Sequence, residues 1–202
     1  MKKRVAKALL DTEALFFRPD EPFIWASGIE SPVYCDNRLV LTDVQSRRII
    51  EESLIEWIKT EYPQAQAVFG TATAGIPHAA IAGYELDIPM GYVRSGAKDH
   101  GRANQIEGRV QPGQKVLVIE DLISTGGSVI KAAKALQEAG AEVLGVVSIF
   151  SYRLQKADEA FAEAGLTYTS LTDFDAACEV AAETGYIKPE DIDYLMDFRN
   201  SL

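Results

Sequence analysis

The chain has 202 residues, of which 47% are hydrophobic, and it carries a formal net charge of −10. This length and apolar content predict a single domain with a large core and a small appendage. The negative charge and the lack of any basic run argue against a general nucleic-acid surface.

Neither a membrane span nor an export signal is predicted. No apolar run reaches the length needed to cross a bilayer. The apolar residues after the basic start are interrupted by Lys7 and Asp11, and no cleavage site follows them. The two cysteines, Cys35 and Cys178, lie far apart and outside any Cys/His cluster, so neither a disulfide nor a zinc site is predicted. We therefore expect a cytoplasmic protein with no membrane or nucleic-acid partner.

The first part of the chain predicts a helix followed by a β-hairpin. Apolar residues recur at helical spacing over residues 2 to about 15, and Pro19 and Pro22 end this helix. Two short β-type runs then flank Ser27-Gly28, a pattern typical of a hairpin. Because the hairpin precedes the alternating strands and helices, we interpret residues 1 to about 40 as a hood over a site. A plain edge hairpin would have the same composition.

Alternating strands and helices begin after the hood. A helix is predicted from residue 43 to about 62, followed by a short strand at residues 67–69. The small-residue turn at residues 70–75 then leads into a helix with Pro77 near its first turn. Free N–H groups at such a turn can hold an anion, and a pyrophosphate would fit there. We assign no role to His78, because a buried or solvent-facing histidine is the simpler interpretation.

The cations of the sequence are concentrated after a strand predicted at residues 88–93. The segment from about 95 to 106 is polar, contains two glycines and has no apolar periodicity, so we expect a mobile loop. Loops of this kind are usually only solvated. The four potential donors in and beside it could close on a pyrophosphate and open to release it. They are Arg94, Lys98, His100 and Arg102.

The central stretch predicts a buried parallel strand at residues 116–119 that ends at Glu120 and Asp121. A turn rich in glycine and hydroxyl groups, Ser124 to Ser128, then enters a helix, which favours phosphate binding. The two acids would repel a phosphate. Carboxylates instead accept hydrogen bonds from sugar hydroxyls or help hold a divalent cation. A ribose phosphate satisfies both requirements.

The alternatives to this interpretation are a purely structural turn and other nucleotide motifs. Any one of these features alone could be explained by an N-cap in an ordinary α/β fold. The stretch matches neither a Walker loop nor the G-x-G-x-x-G pattern.

The strand predicted at residues 142–150 is followed closely by Arg153. At the carboxyl end of a strand, this arginine could grip a substrate carboxylate, or it could pair with Glu120 or another surface acid. The remaining chain predicts helices and one short strand at residues 168–171, with packing or a dimer surface as its role.

The stretch from Val116 to Ser128 resembles the motif that binds phosphoribosyl pyrophosphate (PRPP) in type I phosphoribosyltransferases. Residues 23–38, 70–77 and 98–101 resemble the orotate phosphoribosyltransferases within that family. The resemblance implies an α/β fold with a central, mostly parallel sheet flanked by helices, in one domain with an N-terminal hairpin hood. It also implies Mg²⁺-dependent transfer of the phosphoribosyl group from PRPP to orotate, giving orotidine 5′-monophosphate and pyrophosphate in pyrimidine biosynthesis.

The resemblance further implies roles for individual residues. Catalytic roles fall to Lys98, His100 and Asp121, and orotate binding to Tyr34, Cys35, Ser124 and Arg153. The residues implied in PRPP binding are Thr71, Ala72, Arg94, Lys98, His100, Glu120, Asp121, Leu122, Ile123, Ser124, Thr125, Gly126, Gly127 and Ser128. Magnesium would be held mainly through the substrate, with no assigned protein ligand.

A homodimer is also implied, in which the 95–106 loop of one subunit reaches the partner's site. Many family members carry lysine where this chain has Ala26, Ala74 and Ser95. Two other functions remain open on the sequence alone. One is a phosphoribosyltransferase for a different base, which would not need Arg153 against a carboxylate. The other is a PRPP-sensing regulator that keeps the fold but lacks turnover.

Overall fold

The computed structural model describes residues 1–24, 30–96 and 105–202. The predicted turn Ser27-Gly28 and two predicted catalytic residues, Lys98 and His100, lie outside these described residues. The helices are α1 (Lys2–Asp11), α2 (Val44–Glu61), α3 (Gly75–Leu86), α4 (Gly127–Glu138), α5 (Gln155–Ala164), α6 (Phe174–Glu183) and α7 (Asp191–Asn200). The strands are β1 (Leu15–Phe17), β2 (Phe23–Ile24), β3 (Glu30–Ser31), β4 (Val33–Cys35), β5 (Ala67–Thr71), β6 (Met90–Val93), β7 (Ile106–Glu107), β8 (Lys115–Ile123), β9 (Glu142–Ser151) and β10 (Tyr168–Asp173).

A mostly parallel sheet forms the centre of the molecule, as predicted. Its strand order is β10-β9-β8-β5-β6-β7, and within it only β7 runs antiparallel to its neighbour. Alternate residues of β8 enter two separate apolar clusters, with Leu117 and Ile119 in one and Val116 and Val118 in the other. Helices α1, α2, α3 and α6 pack in the first cluster, and α4 and α5 pack in the second. A strand buried on both faces explains the unbroken apolar run in the sequence.

The N-terminal helix is shorter than predicted. Helix α1 ends at Asp11, and Leu15–Phe17 forms strand β1 in antiparallel pairing with β4, where a helix was predicted to about residue 15. Glu13 adopts a left-handed backbone conformation with φ of 54°, which breaks the helix before the apolar run continues. Leu15 and Phe17 are buried on one face, so the period there is that of a strand.

The predicted hairpin is confirmed by the antiparallel pairing of β2 with β3, in which Phe23 lies opposite Ser31. The start of α2 is also confirmed, because the Asp43 side chain accepts a hydrogen bond from the Ser46 backbone N–H at 2.7 Å. Among the described residues, no helix combines the length and apolar character that a membrane span requires.

Strand β8 extends beyond the predicted end at residue 119. Its pairing with β5 stops at Ile119, whereas its pairing with β9 continues to Ile123. Glu120 and Asp121 therefore lie within a strand that has a strand neighbour on only one side.

Candidate active site

A cavity of about 800 Å³ opens at the carboxyl ends of β5 and β8. The chain leaves β5 through α3 toward β6, on one side of the sheet, and leaves β8 through α4 toward β9, on the other. Ligands of open α/β sheets bind in the crevice created by this reversal. The cavity is lined by Cys35, Asp36, Arg38, Thr71, Ala72, Thr73, Ala74, Val93, Arg94, Ser95, Gln105, Glu120, Asp121, Leu122, Gly127, Ser128, Lys131 and Ala132.

The two acids of β8 meet the end of β5 inside this cavity. Glu120 is only 7% exposed, and its Oε1 accepts hydrogen bonds from the Thr71 hydroxyl at 2.7 Å and the Asp121 backbone N–H at 2.9 Å. Asp121 is more accessible than Glu120 and also lines the cavity. The pair therefore consists of one buried, hydrogen-bonded carboxyl group and one carboxylate available to a ligand.

Burial, the side-chain hydrogen bond with Asp121 and the negative charge of Asp121 together raise the pKa of Glu120 to about 8, although the Asp121 backbone N–H favours the ionised form. The Thr71 hydroxyl also opposes the rise, since its hydrogen bond stabilises the ionised form. At neutral pH the folded protein thus keeps a proton on Glu120. A protonated Glu120 adds no negative charge to the cavity, which reduces the repulsion of a sugar phosphate expected from two carboxylates.

Glu120→Gln is expected to remove a pH dependence of folding stability. Between about pH 5 and pH 8 the folded protein binds a proton at Glu120 that the unfolded chain releases, so this group's contribution to stability is lost as the pH rises. The slope is at most about 1.4 kcal/mol per pH unit. Urea unfolding of both proteins across this range should show the variant gaining relative stability toward pH 8. A constant difference between them would contradict the raised pKa.

The turn between β8 and α4 has no room for a side chain just before α4 begins. Gly126 has φ of 79°, and a Cβ atom there would come within 2.6 Å of the Phe161 ring, so only glycine fits. The next residues, Gly127 and Ser128, line the cavity at the N-terminus of α4, where free N–H groups favour an anion. Lys131 and Ala132 lie one turn further on the same face. The sequence reasoning missed Lys131, although a spacing of four residues from Gly127 would have placed it there.

The turn after β5 forms the opposite wall of the cavity. Thr71, Ala72, Thr73 and Ala74 line it, as the prediction of an anion-binding turn requires. A Cβ atom at Gly70 would come within 2.6 Å of the backbone carbonyl oxygen at the start of α3, so the small residue permits the tight return of the chain.

The hood contributes a third wall through Cys35, Asp36 and Arg38. Arg38 donates from Nε and Nη2 to the Asp36 carboxylate at 2.6 and 2.7 Å, and these bonds hold the pKa of Asp36 below its usual value. Burial raises the pKa of the Cys35 thiol well above its ordinary range, which disfavours the thiolate at neutral pH. Tyr34 is 40% exposed and lies outside the lining.

Arg153 does not line the cavity. Its Nη1 lies 3.6 Å from Asp175 Oδ2 and 3.8 Å from Asp173 Oδ2, and its side chain is 53% exposed. The sequence left two kinds of partner open for Arg153, a substrate carboxylate or an acid of the protein such as Glu120. In the structure Arg153 pairs with acids of the protein, and Glu120 is not among them. Its φ of 54° belongs to the turn that follows β9.

The remaining predicted residues are divided between the cavity and other surroundings. Arg94 lines the cavity, with its Nε 3.3 Å from Glu107 Oε1. Ile123 is fully buried in the apolar cluster with α4, while Ser124 and Thr125 are exposed at the turn. His78 is buried, with its Nδ1 2.6 Å from Glu51 Oε1 between α2 and α3.

No metal cage is built from side chains in residues 1–24, 30–96 and 105–202, where no group of three or more His, Cys, Asp or Glu residues could hold an ion. The cavity nevertheless has the carboxylate oxygens of Asp121. Hard carboxylate oxygens suit Mg²⁺, and an ion held by one or two carboxylates plus substrate phosphates fits this arrangement.

Comparison with known proteins identifies the family of this chain. The family described as phosphoribosyl transferase domain matches residues 41–176. An orotate phosphoribosyltransferase of Bacillus subtilis is 57% identical over 201 residues, which cover 100% of this chain and 93% of that protein. The chain belongs to the orotate phosphoribosyltransferase family.

Solved orotate phosphoribosyltransferase structures are similar in fold. The enzyme from Aeropyrum pernix is 30% identical, with a TM-score of 0.77 over 91% of this chain and 99% of that one. A Mycobacterium tuberculosis orotate phosphoribosyltransferase in complex with PRPP is 26% identical, with a TM-score of 0.66 over 87% of this chain and 98% of that one. The type I phosphoribosyltransferase fold predicted from the sequence is therefore confirmed.

Proposed function

We propose that this chain transfers the 5-phosphoribosyl group of PRPP to orotate, giving orotidine 5′-monophosphate and pyrophosphate in pyrimidine biosynthesis. The observation that carries the proposal is the shared cavity, which brings the acids of β8 and the N-terminus of α4 together at the sheet's crevice. A sugar phosphate needs these two kinds of group a few ångströms apart.

Each wall of the cavity binds a different group of PRPP in this proposal. Backbone N–H groups and hydroxyls from Ser124 to Ser128 hold the 5′-phosphate, and Asp121 accepts hydrogen bonds from the ribose hydroxyls beside Glu120. The turn at residues 71–74 holds the pyrophosphate, with Arg94 as a donor. Lys98 and His100 close over it from the 95–106 loop.

Orotate lies against the hood in this arrangement. Backbone groups of Tyr34 and Cys35 recognise its ring edge, and Ser124 contacts it from the phosphate turn. Arg153 exchanges its exposed contacts with Asp173 and Asp175 for the orotate carboxylate, because a guanidinium binds a carboxylate through two parallel hydrogen bonds.

The reaction needs electrostatic stabilisation more than a nucleophile. As the bond from ribose C1 to pyrophosphate breaks, positive charge builds on the ring and negative charge on the leaving group. Lys98 and His100 neutralise the leaving group, and closure of the loop keeps water from the ring. Mg²⁺, when held mainly through the substrate, supplies further positive charge to the phosphate oxygens.

Loss of orotate absorbance on adding PRPP and Mg²⁺ tests the activity directly. Orotate should be consumed, while hypoxanthine, adenine and uracil should not. Consumption of another base instead would identify a different phosphoribosyltransferase. Binding of PRPP without consumption of any base would identify a PRPP sensor.

The homodimer, the single-domain organisation over residues 1–202 and the cytoplasmic location stay predictions. Subunit mixing tests the dimer with its shared loop. If the loop reaches the partner's site, Lys98→Ala and Asp121→Ala subunits should complement each other, since a mixed dimer has one site with both wild-type residues. An equimolar mixture should recover about one quarter of the wild-type activity, as expected for a two-fold dimer. Activity no greater than the average of the two separate variants would place each loop over its own subunit's site.

A further inference from the structure

Asn37 connects the hood to the acidic strand through a buried hydrogen bond. It lies at the start of a short 3₁₀-helix, Asn37–Thr42, and is 1% exposed. Its Nδ2 donates to the backbone carbonyl oxygen of Asp121 at 2.7 Å, across 84 residues of sequence. Its Oδ1 accepts from the Cys35 thiol at 3.4 Å. The Asn37 side chain is thus bonded to Cys35 within the hood and to Asp121 on strand β8.

This hydrogen bond lies where β8 no longer has β5 as a strand neighbour. Pairing with β5 ends at Ile119, and the β9 side continues through Glu120 and Leu122. Consecutive backbone groups of a strand point to alternate sides, so those of Asp121 face the side that β5 has left. The Glu120 carboxyl group accepts from the Asp121 N–H, and Asn37 donates to the Asp121 carbonyl. Two side chains therefore replace the missing strand at this residue.

We infer that Asn37 is a positioning residue, which fixes the Asp121 carboxylate for the ribose of PRPP through the Asp121 backbone. The inference rests on the proposed function, because it assigns Asp121 to the ribose. Asn37 does not itself line the cavity, whereas Cys35 and Asp36 beside it and Asp121 beyond it do. The hydrogen bond from Asn37 to Asp121 fixes the hood residues of the cavity relative to the acids of β8.

Asn37→Ala removes the donor and is expected to raise the Kd of PRPP by about tenfold, the scale of one lost buried hydrogen bond. Asn37→Asp keeps the shape but places a carboxylate against a carbonyl oxygen, and it should weaken PRPP binding at least as much. Calorimetric titration with PRPP, in the absence of orotate, measures both variants. Their thermal unfolding should be recorded so that affinity is compared at a temperature where each is folded.

A double-mutant cycle separates positioning from a general loss of structure. If Asn37 acts through the Asp121 carboxylate, Asn37→Ala should change the Kd of PRPP little in an Asp121→Ala background. Ser53→Ala is a control, because it also removes the hydrogen bonds of a buried side chain, which donates to the Ile49 carbonyl at 2.7 Å on α2 and accepts from Arg4 Nη2 at 3.1 Å. It should lower stability and leave the Kd unchanged.

The results distinguish failure of the inference from failure of the proposed function. Wild-type protein that does not bind PRPP would overturn the function itself. Normal wild-type binding together with an unchanged Kd in Asn37→Ala would overturn only the role of Asn37. Equal effects of Asn37→Ala with and without the Asp121 carboxylate would also overturn it, because the residue would then act elsewhere.

Discussion

Asp121→Ala is expected to weaken PRPP binding by about 10- to 100-fold, because hydrogen bonds to a charged group contribute about 1.5–3 kcal/mol. Asp121 is the accessible member of the acidic pair, whereas Glu120 is buried and bonded to Thr71. The ribose hydroxyls would lose their charged acceptor, while the phosphate turn before α4 stays in place. Calorimetric titration with PRPP measures the change.

The matched control for this variant is Asp11→Ala. It removes the same charge from the exposed face of α1, where Asp11 pairs with Lys7 at 2.7 Å. An exposed pair of this kind contributes little to stability, so PRPP affinity should be that of the wild type. Asp121→Ala protein that binds PRPP as tightly as this control would refute the assignment of the acids to the ribose.

Lys98→Ala should lower kcat by about 100-fold or more, on the scale measured for lost donors to a developing oxyanion. The reason is that Lys98 would neutralise charge on the departing pyrophosphate, and this charge develops in the transition state. If the contact forms only there, the KM for PRPP should change much less than kcat. Steady-state rates with orotate and PRPP each varied give both constants.

Lys134→Ala is the corresponding control for the lysine. Lys134 is exposed on α4 one turn beyond Lys131 and is not part of the cavity lining, so it tests the loss of one positive charge alone. Its kcat should match that of the wild type. Near-normal turnover in Lys98→Ala would show that the predicted loop does not neutralise the leaving group.

The sequence predicted those parts of the site whose signal is local. The apolar run of β8, its two acids and the glycine-rich entry to α4 are continuous in the chain, so their chemistry is visible without the fold. The same holds for the small-residue turn after β5. Parallel sheet topology then brings the two turns to one crevice.

Features that depend on distant partners could not be predicted in this way. Strand β1 has three residues and exists through its pairing with β4. Arg153 takes its contacts from Asp173 and Asp175, which the next strand and helix supply. The bond from Asn37 to Asp121 joins residues 84 positions apart. No local pattern encodes such contacts, because they arise only when the chain has folded.

The packing of α1 also affects the order in which the protein can assemble. Lys2 bonds to Asp173 at 2.5 Å across 171 residues, and Lys3 bonds to Glu183 on α6 at 2.6 Å. During synthesis these partners leave the ribosome long after α1 does, so the part of the first apolar cluster that α1 and α6 share stays incomplete until they arrive. Long sequence separation of this kind slows folding and leaves apolar surface open to aggregation or chaperone capture.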